Sequence, residues 1–383
     1  MDPEEQALPR REISLLVVSA FFTMIGFYLL LSVVPLYTER AGGGSTGAGL
    51  ATAVFMLATV LAQVQMPRML VRFGYRAILA AGTLFLGLPA FVYLLATEVP
   101  SILAVTLFRG AGFGVAIVVL AALVVEFAPP ERRGEALGWL GVALTLPAVF
   151  GSALGVWMVE RAGFVPVFAI GGAAPLFGFL FALAIRDPAP DRQEERSGGF
   201  LSGLGRGPLL RVFLIFASCT LAAGVFVTFL PLAEPGSGLF SATTALLSYG
   251  LASTLGRFWA GRFSDRNGPH RLLVPALLSA ALGMTALSVG GAYLLLGGLL
   301  FGGGFGVLQS ATLILVMSRV SKGEYGLGST LWNVAFDGGI GLGAFAFGFV
   351  VGGMGFSAAF LLSGALMLAA LVLVSLDHAR RPA

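Results

Sequence analysis

Two charged residues lie inside long apolar stretches of the chain. Arg109 stands before the small-residue run Gly110-Ala-Gly-Phe-Gly114, and Asp337 begins the run Asp337-Gly-Gly-Ile-Gly-Leu-Gly343. An ionisable side chain in an apolar phase is costly, so it is a candidate for binding, proton transfer or conformational control. The carboxyl of Asp337 suits a proton that is taken up and released, because a low dielectric disfavours its charged form. We expect the guanidinium of Arg109 to face a partner, a substrate or water.

Each of the two residues also has a structural interpretation. Arg109 could bond backbone carbonyls and only hold helices together. Asp337 could form a permanent bond with Asn333, one helical turn earlier. The residue types and their spacing leave both alternatives open.

The segments that must position these residues are membrane spans. Of the 383 residues, 57% are hydrophobic and 11% are charged, which excludes a soluble globular protein. A helical span takes ~20 apolar residues, so twelve spans fill most of the chain. We therefore expect an all-α integral membrane protein. The predicted spans are 13–37, 45–67, 77–96, 100–127, 135–158, 165–185, 210–233, 243–262, 272–290, 292–318, 327–350 and 355–376.

The second half of the chain repeats the first. The basic loop segment that begins at Gly261 matches the segment that begins at Pro67, at an offset of 194 residues. Val34-Pro35-Leu36 likewise matches Leu230-Pro231-Leu232, and Gly134-Glu135 matches Gly323-Glu324. We predict two six-helix bundles, residues 1–186 and 209–383. The segment 187–208, which is rich in Pro, Gly, Ser and charge, is the predicted linker.

Two motifs resemble those of a known family. The loop Gly261-Arg-Phe-Ser-Asp265-Arg266-Asn-Gly268 resembles the cytoplasmic-loop signature of the major facilitator superfamily of membrane transporters, and Arg109 with its small-residue run resembles the fourth-span signature. The resemblance covers nearly the whole chain, and at Arg109 it implies a role in proton coupling or in binding a charged group of the substrate. It implies the twelve-helix major facilitator fold, with a substrate cavity lined by spans one, four, seven and ten. The polar residues that these spans offer are Tyr28, Ser32, Arg109, Ser218, Thr220 and Gln309.

The resemblance also gives the two signature loops a role in conformational gating. The residues concerned are Arg72 and Gly74 in the first loop, and Gly261, Asp265, Arg266 and Gly268 in the second. In the family the loop aspartate accepts bonds from neighbouring arginines and from the N–H groups that start a helix of the opposite half. We expect Asp265 to do so near Gly134. Because Val71 occupies the corresponding place in the first loop, the latch should be one-sided. The alternative is that Asp265 is a solvated loop charge.

Further resemblances concern the direction of transport. The segment around Pro147 resembles a degraded form of the proline-glycine motif of the antiporter branch, and the run at Asp337 resembles exporters of the drug- and sugar-efflux type. We predict a secondary active transporter, not an enzyme, that exports a small lipophilic or amphipathic organic molecule in exchange for protons. Proton-coupled uptake of an organic solute is the alternative. The first span carries no acid, which disfavours multidrug cations.

Positive charge predicts the orientation. All of the 23 Lys and Arg residues except Arg40, Arg109 and Arg161 lie on one predicted side, which the positive-inside rule makes the cytoplasm. Both termini are then cytoplasmic, and the protein lies in the cell's inner (plasma) membrane.

Both histidines lie on the predicted cytoplasmic side, so no histidine metal site is expected. We expect a monomer whose partners are the small substrate, protons and the lipid bilayer, with no cofactor, metal or nucleic acid.

Overall fold

Long α-helices make up most of the chain. The computed structural model describes residues 10–129, 132–187, 203–235, 238–321 and 324–379, and it contains no strand in those ranges. The prediction of an all-α fold is confirmed. The predicted linker, 187–208, lies mostly outside the described residues, so it stays a prediction.

The helices agree with the predicted spans to within a few residues at most ends. Those of the first half are α1 (Arg10–Leu31), α2 (Val33–Thr38), α3 (Gly44–Phe73), α4 (Tyr75–Val92), α5 (Val99–Phe127), α6 (Arg133–Ala162) and α7 (Phe164–Ala184). Those of the second half are α8 (Gly207–Ala233), α9 (Ala242–Asn267), α10 (Leu273–Val289), α11 (Tyr293–Ser318), α12 (Tyr325–Met354) and α13 (Phe356–Ala379). The first predicted span is broken at Ser32, because Pro35 has no N–H to donate to the carbonyl of Leu31.

The apolarity of the helices bears on how many cross a membrane. Among the described residues, nine stretches are long and apolar enough to cross, and two of these, Arg10–Met66 and Tyr325–Asp377, each contain more than one long helix. Helix α9 is not among the nine, because its second half carries the charges from Arg257 to Arg266. The predicted number of twelve spans therefore stays a prediction.

Spatial contacts divide the chain into two compact units. The first contains Met1–Gly42 and Val54–Arg192, and the second contains Gly43–Ala53 and Gln193–Ala383. The first turns of α3 therefore belong to the second unit. There the hydroxyl groups of Thr52 and Thr228 lie 2.9 Å apart and share a hydrogen bond.

The two halves of the chain repeat the same close packing between helices. A Cβ atom on Gly110 of α5 would lie 2.2 Å from the carbonyl oxygen of Phe55 in α3. In the second half, a Cβ atom on Gly302 of α11 would lie 2.4 Å from the carbonyl oxygen of Tyr249 in α9. Both glycines thus let two backbones touch, which only a residue without a side chain permits.

The two signature loops turn at glycines, as their sequences predict. Gly74 has φ of 78° and Gly268 has φ of 80°, in the left-handed region that favours glycine. The first loop also receives a cap that the sequence did not reveal. The Oδ1 atom of Asp187 accepts a hydrogen bond of 2.9 Å from the N–H of Arg76, at the start of α4. A carboxylate at that place complements the helix dipole.

Candidate functional site

Asp337 is buried in α12, with 5% of its surface exposed. Close packing of α12 against α8 holds it there. A Cβ atom on Gly343 would lie 2.1 Å from the carbonyl oxygen of Leu221, and one on Gly224 would lie 2.1 Å from that of Ile340. Gly343 and Gly224 therefore serve backbone contact, so the position of the carboxyl depends on the register between two helices.

The alanine substitution Gly343→Ala should destabilise the protein. The new methyl group would collide with the backbone of α8, and such overpacking costs about 1–3 kcal/mol. Gly338→Ala is the matched control, because the nearest atom to its Cβ would be 3.9 Å away. Alanine also favours a helix interior over glycine by up to about 1 kcal/mol. Thermal unfolding in detergent should show a lower midpoint for Gly343→Ala only; equal midpoints for the two variants would contradict the packing argument.

Asn333 does not give its amide N–H groups to Asp337. Its Nδ2 atom donates to the carbonyl oxygen of Ser329 over 3.0 Å and to the hydroxyl oxygen of Ser329 over 3.3 Å. An amide nitrogen has two N–H donors, and both are used within one turn of α12. This arrangement disfavours the permanent bond from Asn333, while the coupling role of Asp337 stays a prediction.

Arg109 is held by backbone carbonyls of the first unit. Its Nε atom donates to Leu86 of α4 over 3.1 Å, and its Nη2 atom donates to Gly26 of α1 over 3.2 Å. The guanidinium also lies 5.8 Å from the ring centre of Phe55 and 5.6 Å from that of Tyr93, where aromatic faces attract a cation. Only 2% of Arg109 is exposed, and it forms no ion pair with a described residue. The geometry favours the structural alternative, and the coupling and substrate roles stay predictions.

The other predicted cavity residues differ in what their side chains bond. Ser218 donates to the carbonyl of Ile215 in its own helix, and Thr220 of α8 donates to the carbonyl of Ala335 in α12 over 2.7 Å. These two hydroxyl groups serve helix structure and packing. The Oγ atom of Ser32 is buried and has no partner among the described residues.

Two of the predicted cavity residues remain. Tyr28 is half-buried in α1, where its carbonyl oxygen accepts a bond from Ser152. Gln309 of α11 is 7% exposed. Of the six cavity residues, Tyr28, Ser32 and Arg109 belong to the first unit, and Ser218, Thr220 and Gln309 belong to the second.

The predicted gating residues lie at exposed helix ends. Asp265 is exposed in the last turn of α9, and its carboxylate forms no hydrogen bond or ion pair within the described part of the chain. The neighbouring Arg262 stacks its guanidinium 4.8 Å from the ring centre of Phe258. In the first unit, Val71 is 91% exposed, and Arg72 lies 5.1 Å from the ring centre of Phe73. The gating roles stay predictions.

Glu324 lies just before the apolar part of α12 and is bound by strong donors. Its carboxylate accepts from the Nη2 atom of Arg206 over 2.5 Å and from the N–H and hydroxyl of Ser321 over 3.2 and 3.0 Å. The Arg206 guanidinium and the Ser321 donors lower the pKa of Glu324 to about 2, because they favour the charged form. Glu324 therefore stays ionised near neutral pH and is unsuited to exchange a proton there.

Sequence reasoning missed a charge cluster at the end of α13. Asp377, which is 4% exposed, accepts a hydrogen bond from the Nε atom of Arg211 over 3.0 Å and another from Arg319. Arg319 also donates to the carbonyl of Pro208. The cluster joins the start of α8 to the ends of α11 and α13. Its members looked like ordinary interfacial charges, because nothing in their spacing along the chain shows that they meet.

The sequence matches known transporters. A family model described as Major Facilitator Superfamily matches residues 16–344 and 237–383. The chain is 29% identical over 340 residues to the uncharacterized MFS-type transporter YfhI of Bacillus subtilis (strain 168), covering 84% of this chain and 80% of that protein. It is 25% identical over 284 residues to a multi-drug resistance efflux pump PmrA homolog of Lactococcus lactis subsp. lactis (strain IL1403), covering 70% of each.

The fold is also similar to solved transporter structures. The nucleoside transporter NupG superposes with a TM-score of 0.74 at 15% identity, covering 96% of this chain and 98% of that chain. The xylose transporter XylE from E. coli, in a partially occluded inward open conformation, gives a TM-score of 0.76 at 14% identity, covering 97% of each chain. At such identities the likeness concerns the fold alone.

Proposed function

Because the chain belongs to the major facilitator superfamily, we propose that it exports a small lipophilic or amphipathic organic molecule in exchange for protons. Proteins of this superfamily are multi-pass membrane transporters of small organic substrates, which work by alternating access between bundles of helices.

The buried carboxyl of Asp337 carries this proposal. It is 5% exposed within α12 of the second unit. Glu324, which directly precedes that helix, is held ionised by its bonds to Arg206 and Ser321. Exclusion of water favours the protonated form of a carboxyl, and access to water favours its release of the proton.

Similarity to an efflux pump homolog supports export over uptake. The alternative is proton-coupled uptake of an organic solute by the same fold; the similar solved structures, NupG and XylE, are described as nucleoside and xylose transporters. Those two structures are too distant in sequence to indicate a substrate or a direction for this chain.

Transport into oriented vesicles would test the proposal. Purified protein in vesicles of known orientation should move a lipophilic substrate against its gradient only when the pH gradient has the sign of an antiporter. Accumulation under the opposite gradient would establish uptake, and accumulation without any gradient would reject proton coupling. Counterflow of labelled substrate in the same vesicles measures exchange separately from coupling.

We also propose an orientation, with both termini and the linker on the cytoplasmic side of the inner (plasma) membrane, and a monomeric state. Exposed arginines at the helix ends support the orientation through the positive-inside rule. They include Arg68, Arg72, Arg76, Arg262 and Arg266.

The gating proposal predicts that Asp265→Asn lowers the outward-facing population. The aspartate would stabilise that state by accepting charge-assisted bonds of roughly 1.5–3 kcal/mol each, enough to shift a two-state balance about tenfold or more. Labelling of an engineered cytoplasmic cysteine, in a chain whose only native cysteine is replaced by Cys219→Ala, should therefore increase.

Val71→Ala is the control for this experiment, because Val71 has neither charge nor acceptor at the corresponding place and should leave labelling unchanged. Identical labelling of Asp265→Asn and the parent chain would mean that Asp265 is a solvated charge.

A further inference from the structure

The second unit contains an array of aromatic rings, two of which lie on α12 within five residues of Asp337 along the chain. The indole of Trp332 stacks on Phe216 with ring centres 4.9 Å apart and an interplanar angle of 20°. Phe336 lies 5.6 Å from Trp332 at 23°, and Phe305 of α11 lies 6.2 Å from Phe336. We call these four residues the aromatic array. It joins α8, α11 and α12, and both Trp332 and Phe336 are only half-buried.

The indole of Trp332 is held in a fixed orientation. Its Nε1 atom donates to the hydroxyl oxygen of Thr312 over 3.2 Å. Phe216 and Phe336 lie on one side of the indole, because their own ring centres are 6.1 Å apart; two rings on opposite faces would be separated by roughly twice the stacking distance. The array therefore leaves the second face of the indole uncovered by these two rings.

Gln309 adds a polar group to the same region. It lies on α11 between Phe305, which contacts Phe336, and Thr312, which binds Trp332. It is more than nine-tenths buried, yet its side-chain amide forms no hydrogen bond with any described residue. The amide is not one of the fully enclosed polar groups that lack a partner, so it keeps contact with solvent, and a ligand can take the place of that solvent.

We propose that this region binds a planar heteroaromatic ring that stacks on Trp332 and presents a hydrogen-bonding edge to the amide of Gln309. This inference rests on the proposed function, because it identifies the substrate class of the transporter. An aromatic face favours a flat ring over a saturated one of the same size, and a primary amide pairs best with a donor beside an acceptor.

Three related compounds test the two features separately. Quinolin-2(1H)-one has a flat ring and a lactam edge. Its N-methyl derivative keeps the ring and loses the N–H donor. Decahydroquinolin-2-one keeps the lactam and loses the aromatic face. The protein used is the full chain with Trp139→Phe, Trp157→Phe and Trp259→Phe, so that Trp332 is its only tryptophan. Binding of quinolin-2(1H)-one is measured without any gradient, by quenching of Trp332 fluorescence. The other two compounds are measured as competitors of quinolin-2(1H)-one.

We expect quinolin-2(1H)-one to quench Trp332 saturably. The N-methyl compound should bind about tenfold more weakly, which corresponds to the loss of one hydrogen bond, and the saturated lactam should not compete at tenfold higher concentration. In Gln309→Leu the two aromatic compounds should bind equally and weakly. Phe345→Leu is the control, since Phe345 lies on the exposed surface of α12 next to Phe349 and should leave all affinities unchanged.

Several results would overturn the inference. The first is that the saturated lactam competes as well as quinolin-2(1H)-one does. The second is that the N-methyl compound binds the parent protein as tightly as quinolin-2(1H)-one. The third is that quinolin-2(1H)-one binds Gln309→Leu as tightly as it binds the parent protein. The comparison of the compounds on the parent protein remains decisive if Gln309→Leu does not fold. Binding as expected, together with transport that ignores the pH gradient, would reject proton coupling alone; coupled transport without this binding would reject only the substrate class.

Discussion

Asp337→Asn should reduce proton-driven transport at least tenfold while leaving exchange of substrate at least partly intact. Asparagine keeps the size and polarity of the side chain but cannot bind and release a proton. Coupling therefore fails, whereas the conformational change that carries substrate in both directions needs no net proton movement. Transport into vesicles with an imposed pH gradient measures proton-driven transport, and counterflow without a gradient measures substrate exchange.

Glu324→Gln is the matched control, an acid-to-amide change in the residue that directly precedes α12. Because Glu324 is already ionised through its bonds to Arg206 and Ser321, its loss should not alter the pH dependence of transport. If Asp337→Asn kept the wild-type pH dependence of active transport, the coupling role would be disproved. If exchange and active transport fell together, Asp337 would be needed for binding or folding instead.

Asp377→Leu should lower the free energy of unfolding by about 3 kcal/mol. Removing one partner of a buried ion pair costs about 3–5 kcal/mol when the remaining charge is left without compensation, and the lower end applies because Arg211 and Arg319 are 14% and 16% exposed at their side chains. Reversible unfolding in detergent micelles measures the change.

The double variant Asp377→Leu with Arg211→Leu separates the energy lost with the ion pairs from the cost of leaving a buried arginine without a carboxylate. If the single variant is unstable because two arginines lose their carboxylate, removal of one arginine should restore part of the stability. Glu324→Gln, which breaks an exposed pair, should change the unfolding free energy little. An Asp377→Leu protein as stable as the parent would mean that the cluster contributes nothing to holding α8, α11 and α13 together.

The sequence by itself determined the helices and their repeat. Apolar runs and the charges between them are local properties, so the bounds of α5 and α12 follow from hydropathy and from the flanking charged and turn residues. The positive φ of Gly74 and Gly268 follows in the same way from the residue type and its place after a helix. The helices and the turns were therefore predictable without any knowledge of packing.

Only the tertiary structure decided what the charged and polar residues contact. Arg109 bonds Gly26 and Leu86 because α5 approaches both α1 and α4, and Asp377 meets Arg211 and Arg319 across more than fifty residues of chain. Such partners depend on how closely helices approach at their glycines, and that distance is set jointly by several helices. A single helix therefore shows which of its residues are charged, while the packing of the bundle decides which of those charges are satisfied.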